Sequence, residues 1–297
     1  MKYALFTGCA AKGACPELYQ SAVGVARLLG IELEELTSAA CCGAGVIKEG
    51  DPDLSLAINA RTFAQAEAKG LPVMTICGTC QGVLSGANKS LKEDATTRER
   101  INAMLAPDGL AYRGTTDVKH LLWVLIQDVG LEKLRKAVKR SLAGLRVAPF
   151  YGCYILRPSK DLGFDDPDNP TSLEKLITAL GGERIDYSGR IKCCGFPLVL
   201  EKESMALAMG GGNTAEAKRE GADCMVTPCP LCHMSLDIYQ ARAGRQLGER
   251  LDMPIFHLPQ LVGLALGLSE KDLGLSHHLV SVQSALAKVE AGDRKSS

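Results

Sequence analysis

The spacing of cysteine constrains this chain more than any other feature. Ten of its twelve cysteines form one pattern written twice: Cys9, Cys41-Cys42-Gly43 and Cys77-Gly78-Thr79-Cys80, then Cys153, Cys193-Cys194-Gly195 and Cys229-Pro230-Leu231-Cys232. The interval from the vicinal pair to the closing Cys-x-x-Cys is 34 residues in both copies, and chance does not repeat five thiols in register. The duplication extends beyond cysteine. At an offset of 152, Val73-Met74-Thr75 falls on Met225-Val226-Thr227; at 137, Val118-Lys119-His120-Leu121 falls on Ile255-Phe256-His257-Leu258. Cys9 and Cys153 are only 144 apart, so the second copy holds eight extra residues, expected in the Pro- and Asp-rich stretch 157–170 as a surface loop.

This arithmetic predicts two halves, residues 1–145 and 146–275, with 276–297 as a peripheral helix or tail. A chain of 297 residues that is 46% hydrophobic and 23% charged can bury one or two ordinary cores without disulfide staples. The beginning Met1-Lys2 runs into Gly8-Cys9 without a signal-peptide pattern, which predicts a cytoplasmic protein whose thiols serve metal or redox chemistry. Lys plus Arg equals Asp plus Glu at 34 each, so no net field draws in nucleic acid or an anionic membrane. The apolar stretches 121–126 and 258–268 are too short to span a bilayer.

Within each half, short apolar runs alternate with helical patterns, which predicts an α/β fold of parallel-type β-α-β units. In the first half the pattern gives a strand at 3–7, a helix at 16–29 stopped by Gly30, a strand at 33–36, a helix from Asp51-Pro52 to about 69, a strand at 73–76 and a helix after Cys80. The second half gives strands at 147–151, 185–187 and 225–228 and helices at 172–180 and 202–219. Cys9, Cys77, Cys153 and Cys229 each follow a predicted strand, where α/β units bind ligands, so the five thiols of each half can converge.

Four thiolates suit zinc or one cubane iron–sulfur cluster, and a fifth is then surplus. Adjacent cysteines point different ways, which favours a larger cluster able to use them on different irons. Gly43 and Gly195 let the backbone turn tightly beside it.

The doubled motif resembles the cysteine-rich CCG domain of the heterodisulfide reductase B subunit, and the resemblance reaches to about Leu268, with Lys2-Tyr3-Ala4, residues 87–94, residues 128–134 and Tyr151-Gly152-Cys153 also matching. It implies two pseudo-symmetric duplicated CCG domains, each holding one noncubane 4Fe-4S cluster on five cysteines. The ligands carried over are Cys9, Cys41, Cys42, Cys77 and Cys80 for one cluster, and Cys153, Cys193, Cys194, Cys229 and Cys232 for the other. It also implies a ferredoxin-like C subunit and a flavin-bearing A subunit as partners, and two-electron reduction of a disulfide or oxidation of a thiol or persulfide between the clusters. The start Cys9-Ala10-Ala11-Lys12-Gly13 points to the branch similar to sulfane-sulfur oxidisers, whereas Cys41-Cys42-Gly43-Ala44-Gly45 lacks the proline that the methanogen-type pattern leads one to expect.

Two other readings use the same residues: a noncatalytic electron-transfer or anchoring subunit of another oxidoreductase complex, and a scaffold with zinc in the second motif. Outside the pattern, Cys15 and Cys224 read as small buried hydrophobes, with a substrate-handling thiol as the functional option for Cys15. His120 and His257 read as core or capping histidines. His233, next to Cys232, could donate to a cluster sulfur or deliver a proton. Gly210-Gly211-Gly212-Asn213 lacks the spacing of a nucleotide fingerprint and falls in a predicted helix. Arg61 and Lys89 read as solvated helix charges, with contact to an anionic substrate as the alternative.

Overall fold

A computed structural model describes residues 1–296. Two four-stranded sheets share one topology. The first holds β1 (Lys2–Phe6), β2 (Glu32–Glu35), β3 (Val73–Thr75) and β4 (Val118–His120) in the order β2-β1-β3-β4. The second holds β5 (Arg146–Pro149), β6 (Glu183–Arg184), β7 (Cys224–Thr227) and β8 (Ile255–His257) in the order β6-β5-β7-β8. Every pairing is parallel, and the register repeats: Thr75 faces His120 as Thr227 faces His257. The central strands β3 and β7 are buried along their whole length, as parallel strands covered on both faces require. The fold is α/β, with parallel strands joined through helices.

Seven helices frame the cysteines: α1 (Pro16–Leu29), α2 (Pro52–Ala68), α3 (Gly78–Glu93), α4 (Ser172–Ala179), α5 (Glu203–Arg219), α6 (Pro230–Asp237) and α7 (Leu258–Ala265). Their ends follow local chemistry. Gly30 closes α1 in the left-handed region at φ 70°, and the Asp51 carboxylate accepts from Leu54 N at 3.0 Å to start α2. The third helix begins at Gly78 rather than after Cys80, because the Cys77 thiol itself caps it, accepting from Cys80 N at 3.4 Å. The predicted strand at 185–187 lies earlier, at Glu183–Arg184, because Tyr187 turns inward and donates its hydroxyl to the Pro149 carbonyl.

The two halves do not keep separate interiors. One core joins Leu5, Leu18, Val25 and Met74 to Val147, Val226, Leu261 and Val262; another joins Phe6, Phe63 and Leu84 to Phe150, Met225 and Ile255. Helix α1 of the first half packs on α7 of the second, close enough that a Cβ on Gly263 would lie 3.3 Å from Val25. The stretch 157–170 is largely exposed and holds a short helix, Ser159–Leu162, but Phe164 ties it back by stacking on Trp123 at 4.9 Å. Part of the 276–297 segment is the helix Gln283–Ser296, whose Ala285, Leu286 and Val289 are buried; Ser297 lies outside the described residues. Among the described residues no helix is long and apolar enough to cross a membrane.

Candidate metal centre

Strand order decides where the thiols meet. The chain leaves β1 to one side for β2 and returns to the other side for β3, so the crevice between β1 and β3 is a switch point, and β5 and β7 repeat it. Cys9 and Cys77 follow the two strands of the first crevice, Cys153 and Cys229 those of the second. The vicinal pairs arrive on the loops before α2 and α5.

In the first half Cys41 Sγ lies 3.7 Å from Cys9 Sγ, and Cys42 Sγ lies 3.5 Å from Cys80 Sγ. In the second, Cys153, Cys193, Cys194, Cys229 and Cys232 all line one cavity of about 240 Å³. The two sets touch: Cys77 Sγ is 3.9 Å from Cys229 Sγ, the Thr79 hydroxyl is 3.3 Å from Cys229 Sγ, and Gly78 N donates to the Pro228 carbonyl at 3.0 Å. Cys9 and Cys41 are exposed and Cys153 and Cys193 half-buried, whereas the other six are buried.

Thiols this close share protons, since neighbouring sulfurs cannot all ionise without a cation. A hydrogen bond from Cys41 pulls Cys42 down to about 4, while Cys41 is pushed up by the same contact. Cys153 pulls Cys193 down to about 2, and Cys193 in turn raises Cys194 to about 12. Cys232, then Cys77, lower Cys229 well below the ordinary thiol range, and Cys194 and Cys229 raise Cys232. Five converging sulfurs around a cavity with a built-in thiolate fit a multi-iron cluster, whose irons would supply the missing positive charge.

The backbone is shaped for the same purpose. Gly8 and Gly152 adopt φ 69° and 72°, and a Cβ at either would lie 3.0 Å from Cys80 Sγ or 2.7 Å from Cys232 Sγ. Gly43 and Gly195 also have positive φ, at 77° and 83°, and Gly43 N and Gly195 N point back at Cys41 and Cys193 sulfur. Asn59 donates to the Cys42 carbonyl at 3.0 Å, Asn213 to that of Cys193 at 3.1 Å and Ser235 to that of Cys194 at 2.7 Å. The glycine string before Asn213 thus belongs to α5, which presses on the vicinal-cysteine turn.

Sequence reasoning also missed a polar brace. The Tyr151 hydroxyl donates to Glu174, Arg190 donates to Glu174 at 2.7 Å, and Tyr151 N donates to the Arg190 carbonyl at 2.8 Å, tying the strand end before Cys153 to the loop before Cys193. Nothing in the spacing marks these three residues as neighbours. Their pairing needs the tertiary structure.

Several candidates sit elsewhere. Arg61 pairs with Asp108 and donates to Ser38 O; Lys89 contacts Asp161 and Lys160 O, so neither points at the thiols. His120 caps a helix start, accepting from Leu122 N at 2.9 Å, and its Nε2 donates to the Pro228 carbonyl at 2.9 Å. His233 is buried with Nε2 3.0 Å from the Ile255 carbonyl and its ring against those of His257 and His278. Cys224 is fully buried in β7. Cys15 is also buried, against Glu17, His233 and His257.

A family model described as a cysteine-rich domain, CCG, matches residues 3–85 and 147–237. The chain is 44% identical over 279 residues, 94% of its length and 97% of the relative, to the 8-methylmenaquinol:fumarate reductase membrane anchor subunit of Wolinella succinogenes. It is 32% identical to the B subunit of the ferredoxin:CoB-CoM heterodisulfide reductase of Methanosarcina mazei, covering 97% of each chain, and 34% identical to a heterodisulfide reductase B subunit-like protein of Archaeoglobus profundus, covering 93% and 94%. Its fold is similar to the crystal structure of a hypothetical protein from Helicobacter pylori, with TM-score 0.75 and 17% identity; 95% of this chain spans about half, 52%, of that one.

Proposed function

Because the chain belongs to the heterodisulfide reductase B subunit family of paired CCG domains, an assignment its two motif matches and full-length relatives establish, we propose that it is the two-centre redox subunit of a multi-subunit reductase complex. In this reading it takes the electron pair of a neutral, apolar donor of the quinol class and passes it to partner subunits. Two noncubane 4Fe-4S clusters, on Cys9, Cys41, Cys42, Cys77 and Cys80 and on Cys153, Cys193, Cys194, Cys229 and Cys232, would supply one-electron acceptors side by side. The observation that carries the reading is the direct contact of the two thiol sets at Cys77 and Cys229, 3.9 Å apart.

This chain's own residues set the rest. The second set is walled by Val46, Tyr151, Tyr154, Ile155, Phe196 and Pro197, and among the described residues no Asp, Glu, Lys, Arg or His lines it, so the approach to a cluster held there is apolar and offers an anionic donor no cationic side chain. The Thr79 hydroxyl sits on Cys229 sulfur, placed to donate to negative charge there. Cys9 and Cys41 reach the surface, which puts the first set on the side open to a partner. The 44% identity to a subunit named for a methylmenaquinol:fumarate reductase favours this donor class. The unpaired cysteines favour a reducing compartment, the cytoplasmic side of any membrane that the chain serves.

A second reading keeps the sulfur chemistry of the family: reduction of a disulfide, or oxidation of a thiol or sulfane sulfur, with ferredoxin-like and flavin-bearing partners. The presence of all five thiols in both motifs favours it. The test is to purify the protein anaerobically, count iron and sulfide, and mix it with a neutral naphthoquinol or, after reduction, with an uncharged disulfide, following cluster absorbance. About eight irons and rapid bleaching by the quinol support the first reading. Reoxidation by the disulfide with no response to quinol overturns it in favour of the second, and fewer than about four irons overturns both.

A further inference from the structure

Behind the second set of thiols lies a cluster that the proposed redox function does not use. We infer that Cys15, Glu17, His233 and His257 form a binding site for a divalent cation of the zinc type, separate from the ten motif cysteines. All four residues are buried, and one ligand atom from each lies within 4.8 Å of the others. Neighbouring donors on a four-coordinate zinc are about 3.3–3.8 Å apart, so small side-chain rotations close the remaining gap. His257 Nε2 and Glu17 Oε1 are already at 3.0 Å.

The four come from three separate helix starts: Cys15 and Glu17 at the beginning of α1, His233 in the first turn of α6, and His257 at the N-cap of α7. Glu17 and His257 are 240 residues apart in sequence, so the site would clasp the first half to the second.

Charge argues for a cation. Glu17 is 4% exposed, and the ion pairs among the described residues give it no Lys or Arg; its side-chain partner is His257. A carboxylate held away from water needs opposite charge close by. The histidines cannot both supply it, because the His233 and His257 rings stack face to face at 3.7 Å and 17°, a distance two imidazolium cations would not keep; a divalent ion supplies it and leaves both imidazoles neutral. One thiolate, one carboxylate and two neutral imidazoles leave a divalent ion nearly neutralised, and that mix of four donors suits zinc better than calcium or magnesium, which take oxygen. Binding would displace the Cys15 thiol proton to solvent. Outer partners are in place as well: His233 Nε2 lies 3.0 Å from the Ile255 carbonyl and 3.4 Å from His278 Nδ1, whose own Nε2 lies 3.0 Å from Gln260 Oε1.

The test is elemental analysis of anaerobically purified full-length protein from zinc-replete cells, with iron and sulfide counted on the same samples. Three variants go beside the parent: Cys15→Ser, His257→Gln, and Cys224→Ser as a buried-thiol control. The expected result is about one zinc per chain in the parent and in Cys224→Ser, and less than about a fifth of that in the other two, with iron and sulfide unchanged in all four. Cobalt added to zinc-depleted protein gives the absorption of a four-coordinate site with one sulfur ligand, and Cys15→Ser removes the sulfur band. A parent that takes up no zinc overturns the inference, as does zinc retained in both variants. The redox proposal fails independently, by missing iron.

Discussion

Replacing Gly152 with alanine tests how tightly the backbone is fitted to the second thiol set. Gly152 sits at φ 72°, where an L side chain costs about 1–2 kcal/mol. The new Cβ would lie 2.7 Å from Cys232 Sγ, and Cys232 is 5% exposed in the first turn of α6, so relief means moving a proposed ligand. Overpacking of this kind adds about 1–3 kcal/mol. The sum, about 2–5 kcal/mol, falls on one of two sites, so Gly152→Ala should hold about four irons per chain instead of about eight and unfold at lower denaturant concentration. Gly8→Ala is the internal comparison: its Cβ would meet Cys80 Sγ at 3.0 Å, a looser contact, and iron loss should be smaller. Iron, sulfide and denaturant midpoints on anaerobic protein decide it. Full iron in Gly152→Ala with an unchanged midpoint would show that Cys232 does not hold the position assigned to it, and the reasoning would fail.

Removing Arg190 as Arg190→Met leaves the buried Glu174 carboxylate with Tyr151 alone and should cost about 3 kcal/mol in urea unfolding, partly restored by adding Glu174→Gln. Thr79→Val deletes the hydroxyl on Cys229 sulfur and should lower the reduction potential of the second centre in a spectroscopic titration; an unchanged potential would exclude the contact from the holoprotein. Burial lowers His120 to about 4, below its unfolded value near 6.5, so the unfolded chain takes up the proton first as pH falls from 7 to 4; the stability of metal-free protein should drop by about 3 kcal/mol over that window, and His120→Leu should flatten the dependence. In metal-free protein, iodoacetamide should label the exposed Cys9 well before the buried cysteines, and cluster reconstitution should protect it; mass spectrometry of the peptides reads this directly.

Much of the site could be read from sequence because its information is local. Apolar runs ending just before Cys9, Cys77, Cys153 and Cys229 place strands, and the strand order of a parallel unit then brings those thiols to one crevice. The helix positions 16–29, 52–68 and 203–219 carry their own signals at Gly30, at Asp51-Pro52 and in their periodicity. What sequence does not carry is contact between the repeats. Treating each half as a unit hides the shared cores, the packing of α1 on α7, and the meeting of Cys15 and Glu17 with His233 and His257. Arg61 and Lys89 show the converse error, since nearness in sequence to Cys42 or Cys80 says nothing about which way a helix face turns; both find acidic partners elsewhere. The predicted strand 185–187 sits instead at Glu183–Arg184, and the Tyr187 hydroxyl beyond it donates to the Pro149 carbonyl, a contact between distant residues that no local pattern announces.

The seam at Gly78 has a consequence for descent. At the repeat offset of 152, Gly78 corresponds to Pro230 and Pro228 to Ile76. An ancestor made of two identical one-repeat chains would have formed the Gly78-to-Pro228 bond twice, once in each direction across its axis. Here the reciprocal bond cannot form, because Pro230 has no N–H to give. The Pro228 carbonyl receives both Gly78 N and His120 Nε2, whereas the histidine corresponding to His120, His257, turns to Glu17. Two repeats of one topology therefore meet asymmetrically at this seam. The two cysteine sets are no longer interchangeable.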